Sequence, residues 1–407
     1  MHFDIKHITK ECKGKLNITG SKSETNRLLL LQAFISGFKI KNKSNSEDSN
    51  LMSAALRSKD EIINVNHAGT AMRFLTAYFS QIDGREVLIT GSKRMQERPI
   101  KILVDALNSI GADIRYDKKN GYPPLRIKGK KLEGGLITLP ANISSQFISA
   151  LIMLGPFVEN GIELKLTGEI TSKPYIKMTL LLLERFGIQT KFEGQTIKVE
   201  FNNRPKKIDQ IVESDWSSAS YIFSIVALSK ESEILLKTFK PKSLQGDSVI
   251  LKIYKKLGVS SFFNGNGLLL KRENCKLPKK IYYDLSNSPD IAQTITVTCF
   301  GLGIECELVG LHTLKLKETD RLFALYTELK KLGANIIVTD KSLYLSSSRS
   351  FINNCSIATY DDHRMAMSFA PLSLKVPLSI QDPSVVSKSY PDFWNDLIKL
   401  NFDVKNR

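Results

Sequence analysis

Two rhythms of apolar and polar positions alternate along this chain. A helical one, with apolar residues three and four apart, ends in a hydrophobic residue and glycine; a two-residue one then reads as strand, polar turn and strand. The phrase recurs as LVDALNSIGADI (103–114), LLLLERFGIQ (180–189), ILKIYKKLGV (250–259) and LYTELKKLGANI (325–336). Its glycines, Gly111, Gly187, Gly258 and Gly333, fall roughly 70–76 residues apart, a spacing that argues for duplicated units. Each suits the left-handed position that closes a helix, where a missing Cβ removes the steric penalty. Hairpin signals follow at Phe192-Glu193-Gly194-Gln195, Asn264-Gly265-Asn266-Gly267 and Thr339-Asp340-Lys341-Ser342. LIKLNFDV (397–404), with Asn401 in the glycine position, is a fainter last copy. The apolar stripes themselves predict core and carry no chemistry.

A chain of 407 residues with 42% hydrophobic content is long enough for two domains with a core each. The polar stretch 201–209, with Pro205, reads as a crossing between halves, and 346–350 as an exposed loop. No apolar run, the one around Phe147 to Val158 included, reaches the roughly 18 residues of a membrane span, and Met1 leads into a charged start. The expectation is a cytoplasmic protein without a leader. Cys12, Cys275, Cys299, Cys306 and Cys355 lie far apart with no Cys-x-x-Cys pair, which predicts free, buried thiols and no metal site. A formal net charge of +17 favours anionic partners: phosphorylated metabolites, nucleic acid or anionic lipid.

The polar clusters fall where a loop enters a helix. Unpaired N–H groups and the positive end of the macrodipole make such a place an anion site once basic or hydroxyl side chains join it. The first cluster is GSKSETNR (20–27), where Lys22 and Arg27 offer charge and Ser23 a hydroxyl, although Ser23 and Asn26 equally suit a capping box. NHAGTAMR (66–73) follows, with Gly69 permitting close approach of the backbone to a ligand. In KRMQERPI (93–100), Arg94 supplies charge and Pro99 suits a first helical turn. ISSQF (143–147) brings Ser144, Ser145 and Gln146, and SKPY (172–175) repeats the arrangement with Ser172 and Tyr175. The second half carries SDWSSASY (214–221), SPDIAQT (288–294), KETDRL (317–322), DDHRMAM (361–367) and SKSYPDF (387–393). Asp290 and Glu318 among them are candidates for proton transfer; the plainer alternative is that they only complement helix dipoles.

In this order the clusters closely resemble the motifs of the 5-enolpyruvylshikimate-3-phosphate synthase family, over nearly the whole chain. The resemblance implies an α/β fold, two domains each of three βαβαββ repeats in the inside-out barrel of enolpyruvyl transferases. The domains would be 1–19 with 214–407, and 20–213, with the active site in the cleft between them. It implies addition and elimination between phosphoenolpyruvate and shikimate-3-phosphate by a monomer, with no metal, no organic cofactor, no nucleic acid and no membrane. Carried over by motif, shikimate-3-phosphate would meet Lys22, Ser23, Arg27, Ser144, Ser145, Ser172, Tyr175, Asp290, Thr313 and Lys317. Phosphoenolpyruvate would meet Lys22, Gly69, Arg94, Gln146, Arg321, Arg364 and Lys388. Asp290, Glu318, Lys22 and His363 would handle protons.

Two residues depart from the family pattern: His67 and Thr313 each stand where many members carry Asn. A sibling transferase acting on UDP-N-acetylglucosamine is the nearest rival, but its loop cysteine has no counterpart near Arg94 to Arg98, and its Lys-Asn start is Lys22-Ser23 here. A basic nucleic-acid-binding module is the rival from another class; the cations sit singly at helix starts, and no zinc finger or aromatic RNA-binding motif appears.

Overall fold

The computed structural model describes residues 1–142, 144–348 and 350–407; Ile143 of ISSQF and Arg349 of the 346–350 loop lie outside the described residues. The chain divides into two compact units, Gly20–Val212 and Met1–Thr19 with Glu213–Arg407. The Gly20–Val212 unit holds helices α1 (Lys22–Phe34), α2 (Glu47–Arg57), α3 (Gly69–Gln81), α4 (Lys93–Gln96), α5 (Lys101–Ser109), α6 (Ser145–Leu154) and α7 (Lys173–Arg185). The other unit holds α8 (Trp216–Leu228), α9 (Ile250–Lys256), α10 (Ala292–Leu302), α11 (Arg321–Lys331), α12 (His363–Phe369) and α13 (Phe393–Lys399).

Repetition in the sequence becomes repetition in space. Gly111, Gly187, Gly258 and Gly333 follow α5, α7, α9 and α11 with φ of 101°, 75°, 80° and 92°, and Asn401 after α13 has φ 67°. Asparagine tolerates that region better than most residues. Each glycine leads into a four-stranded sheet of one topology: a parallel pair, then a hairpin whose second strand lies next to the pair. Ile62–Asn64, Glu86–Thr90, Leu125–Lys128 and Asp113–Tyr116 are neighbours in that order, and Gly135–Pro140, Ile162–Thr167, Thr196–Val199 and Thr190–Glu193 repeat it. In the last copy the N-terminal strand His2–Lys6 takes the hairpin place, pairing with Leu378–Gln381 on one side and Asp403–Asn406 on the other. The incomplete C-terminal phrase is thus completed by the start of the chain.

Among the described residues six sheets result, three to a unit, but one is reduced: Ile40–Lys41 and Gln210–Ile211 form only a two-stranded parallel pair. The segment 36–46 (SGFKIKNKSNS) has too few alternating apolar residues to support a longer strand. Within each unit three helices pack on one another, α1 with α3 and α6, and α8 with α10 and α12. Nearly every residue of α8, α10 and α12 is buried, as is all of α6 from Phe147 onward, the pattern of helices surrounded by core.

Two sequence expectations are corrected. Pro99 does not sit in a first helical turn: α5 begins at Lys101, and Arg94 lies in the separate short helix α4, which Ser92 caps. The thiols are free, but Cys275 is exposed in the irregular segment after the strand Gly267–Arg272, and Cys355 is only half-buried at the start of the strand Cys355–Ile357. Among the described residues no helix is long and apolar enough to cross a membrane.

Candidate active site

The α8–α13 unit gathers its charged residues where α10, α11 and α12 begin. A 3-10 turn, Pro289–Ile291, leads Asp290 into α10; Asp320 caps α11, and Asp362 caps α12 by accepting the Arg364 N–H at 2.8 Å. Arg321, the first residue of α11, is 2% exposed and meets three carboxylates: Asp362 through Nε at 2.6 Å, Asp290 through Nη1 at 2.9 Å and Glu318 through Nη2 at 2.8 Å. Arg364 Nη2 reaches the other Asp290 oxygen at 3.1 Å, and Lys317 Nζ lies 3.3 Å from Asp290 Oδ1. Burial pushes the Asp290 carboxyl up, but Arg364, Lys317 and Arg321 outweigh it and hold the group far below the usual carboxylate range. Burial likewise pulls Arg321 down, and Asp362, Glu318 and Asp290 more than reverse it. His363 is fully buried, its Nδ1 3.7 Å from Asp362 Oδ1. Thr313 Oγ1, near this cluster in sequence, is buried without a hydrogen-bond partner among the described residues.

The turn that leads into α12 is strained. Tyr360 and Asp361 are consecutive non-glycine residues with φ of 55° and 54°, a conformation that costs about 1–2 kcal/mol per residue. The Asp361 carbonyl accepts from Lys388 Nζ at 2.5 Å. Lys388 is buried at the end of the 3-10 segment Pro383–Lys388, so this contact joins the SKSYPDF motif to DDHRMAM.

In the α1–α7 unit the cap of α1 is Ser21, whose Oγ accepts the Glu24 N–H at 3.4 Å. The capping alternative for Ser23 therefore fails, and Ser23 sits half-buried in the first turn with its side chain not used as the cap. Lys22 Nζ meets Asp48 Oδ2 of α2 at 2.9 Å. Arg27 is buried and largely engaged inside the unit: Nε to Thr179 Oγ1 at 2.8 Å, Nη1 to Ser23 O at 2.9 Å, Nη2 to Ser149 Oγ at 2.8 Å and Tyr175 O at 3.4 Å. Burial pulls its guanidinium down to about 10, still cationic at neutral pH. Arg27 thus braces α1 against α6 and α7. Ser144 caps α6 with its Oγ 3.4 Å from Gln146 N; Ser145 and Gln146 are half-buried. Ser172, before α7, has φ 54° and makes no cap bond.

Gly69 opens α3, and a Cβ there would stand 2.5 Å from Arg98 Nη1. The glycine thus makes room for a guanidinium. Gln146 Nε2 donates to the neighbouring Thr70 hydroxyl at 3.1 Å, and Arg73 Nη1 to the Gly69 carbonyl at 3.2 Å. Arg94, side chain 40% exposed, pairs at 3.4 Å with Glu97, the residue that closes its short helix. His67 contacts Ser92 Oγ at 2.9 Å, the same oxygen that caps α4. The departure at His67 is therefore tied to the helix that carries Arg94.

Asp247, Asp362 and Arg98 went unassigned in the sequence. Asp362 had a signal, an acid directly before a helix; Asp247 had none, since GDSV (246–249) matches no motif. Asp247 is 2% exposed, shares a hydrogen bond with the Ser217 hydroxyl, and has its Oδ1 without a partner among the described residues. Burial, with Asp290 nearby, pushes its carboxyl up to about 6 against the pull of Arg364. A folded pKa above the unfolded one means that stability is highest below the unfolded pKa and falls as pH rises through about 4 to 6, by up to about 3 kcal/mol. Asp247→Asn, uncharged throughout, is expected to flatten that fall in thermal midpoints from pH 4 to 8. Parallel curves for the two proteins would show that Asp247 ionises as easily folded as unfolded.

Known proteins share this chain's sequence pattern and fold. A family model described as EPSP synthase (3-phosphoshikimate 1-carboxyvinyltransferase) matches residues 57–397. The chain is 44% identical over 402 residues to the 3-phosphoshikimate 1-carboxyvinyltransferase of Bacteroides fragilis, covering 97% of each. To that of Haemophilus influenzae it is 36% identical over 428 residues, covering 95% of this chain and 96% of the other. Among solved structures, the EPSP synthase of Acinetobacter baumannii matches with a TM-score of 0.79 at 21% identity over all of both chains. The enolpyruvyl transferase NikO of Streptomyces tendae matches with 0.73 at 14% identity, over 99% of this chain and 98% of that one. At such identities the solved structures speak for the fold, and the sequence relatives for the family. Repeated sheets, charged helix starts and near-complete alignment converge: the chain belongs to the EPSP synthase (3-phosphoshikimate 1-carboxyvinyltransferase) family.

Proposed function

We propose that this chain transfers the enolpyruvyl group of phosphoenolpyruvate to the 5-hydroxyl of shikimate-3-phosphate and releases phosphate. The observation that supports it most is the buried cluster in which Arg321, Arg364 and Lys317 surround Asp290, with Glu318 on the same guanidinium. Such a cluster offers forked donors for a carboxylate and a phosphate together with two carboxylates for proton transfer, and each charged hydrogen bond contributes about 1.5–3 kcal/mol.

In this scheme the 5-hydroxyl oxygen bonds to C2 of phosphoenolpyruvate as C3 gains a proton, giving a tetrahedral ketal phosphate. Loss of a proton from C3 then restores the double bond as the bond from C2 to the phosphate oxygen breaks. Asp290 takes or orients the hydroxyl proton, Glu318 exchanges the proton at C3, and Lys22, with His363, assists the departing phosphate. Arg321, Arg364, Arg94, Lys388, Lys22 and Gln146 hold phosphoenolpyruvate against the backbone at Gly69. Ser23, Arg27, Ser144, Ser145, Ser172, Tyr175, Thr313, Lys317, Lys22 and Asp290 hold shikimate-3-phosphate. Held by three cations, Asp290 is a weak base; anionic substrates that engage Arg321 and Arg364 draw those cations away and raise its proton affinity. The chain works as a cytoplasmic monomer with no nucleic acid partner; sedimentation at working concentration checks the monomer.

Phosphate release from phosphoenolpyruvate tests the proposal. Release is expected with shikimate-3-phosphate as acceptor and not with UDP-N-acetylglucosamine. The reverse preference would move the chain to the sibling activity, and no release with either would overturn the assignment.

A further inference from the structure

The Glu328 carboxylate is buried on α11, two turns beyond Arg321, and its contacts run to the segment that enters α12. Its Oε2 accepts the Ala358 N–H at 3.1 Å and its Oε1 the Tyr360 hydroxyl at 2.6 Å, while Lys331 Nζ sits at 2.7 and 2.8 Å from the two oxygens. Between those anchors and α12 lie the two left-handed residues, Tyr360 and Asp361. Asp361, the second of them, supplies the carbonyl that takes Lys388, and Asp362, directly after it, the carboxylate that takes Arg321. One helix therefore grips the turn at both ends: Arg321 binds Asp362, and Glu328 binds the residues before it.

We propose that Glu328 and Tyr360 are positioning residues for the reaction: together they hold the left-handed turn that aims the Asp361 carbonyl at Lys388 and the Asp362 carboxylate at Arg321. A left-handed pair of non-glycine residues persists only where its surroundings over-determine it, and here the Tyr360 hydroxyl and the Ala358 N–H supply that constraint. Burial, followed by the Glu328 carboxylate, pushes the Tyr360 phenol up to about 12, so it remains a donor across the working pH range. Without the bond the turn relaxes, Lys388 and Arg321 shift, and displacements of about 1 Å at such groups can cost on the order of 10²-fold in rate. The inference rests on the proposed function, because it assigns Lys388 and Arg321 to phosphoenolpyruvate.

Tyr360→Phe removes one hydroxyl and keeps the ring. It is expected to lower kcat/KM for phosphoenolpyruvate by roughly tenfold or more while KM for shikimate-3-phosphate stays within about twofold, a split that general loosening of the fold does not produce. Glu328→Gln, which keeps a carbonyl for one of the two anchors, should fall between wild type and Tyr360→Phe, and gives a second test if either variant folds poorly. Wild-type turnover comes first: if it is absent with these substrates, the functional assignment fails. If wild type is active and both variants match it in kcat/KM for phosphoenolpyruvate, or lose affinity for both substrates equally, the positioning role is wrong and the assignment stands.

Discussion

Arg321→Lys is expected to reduce phosphate release by at least about 10²-fold although the charge is kept. The guanidinium meets Asp362, Asp290 and Glu318 through three different nitrogens. A single ammonium on a flexible stem cannot span three carboxylates from separate segments, so it settles on one and leaves the others misplaced. Arg321→Met goes further. It leaves the buried Asp362 without its principal cation, and removal of one partner from a buried pair typically costs about 3–5 kcal/mol. The ordering of the two variants is the informative part: Lys should remain folded and slow, Met should be slow and lower in thermal midpoint. A Lys variant with wild-type turnover would show that net charge, and not the fork, is what Arg321 contributes.

What was legible beforehand follows from how local each cause is. The left-handed cap after each helix depends on one residue, so Gly111, Gly187, Gly258 and Gly333 announced it, and even Asn401 conformed. Turn chemistry is equally local, and the hairpin at Gly194-Gln195 formed where the pattern placed it. The closing repeat was only half visible, because its missing strand, His2–Lys6, lies at the other end of the chain. Side-chain partners were harder. That Lys22 and Arg27 open a helix was readable, but Arg27's ties to Ser149 and Thr179 come from residues 122 and 152 positions away. The cap of α1, for which only Ser23 and Asn26 were weighed, is Ser21 for a simpler reason: in Ser21-Lys22-Ser23 both serines fit, and only backbone geometry chooses. Asp247 and Glu328 stayed hidden because an isolated acid in a helix or turn looks like a solvated one until its surroundings bury it.

Asp290→Asn is the sharper probe of chemistry, since two effects with opposite signs are expected from one atom change. The cluster balances Lys317, Arg321 and Arg364 against Asp290, Glu318 and Asp362. Replacing Asp290 by a neutral amide of the same shape leaves the three cations short of one counter-ion, so an arriving anion no longer competes with that carboxylate for Arg321 and Arg364. Phosphoenolpyruvate should therefore bind the shikimate-3-phosphate-loaded variant more tightly than wild type by calorimetry, and the gain should shrink with added salt. Turnover should move the other way, falling by about 10²–10⁴, the usual loss when a general base is removed. Tight binding with slow turnover separates a proton acceptor from a residue that only shapes the pocket, because the latter loses binding and rate together. Turnover near the wild-type rate would remove Asp290 from proton transfer and leave it as a counter-ion for the two arginines.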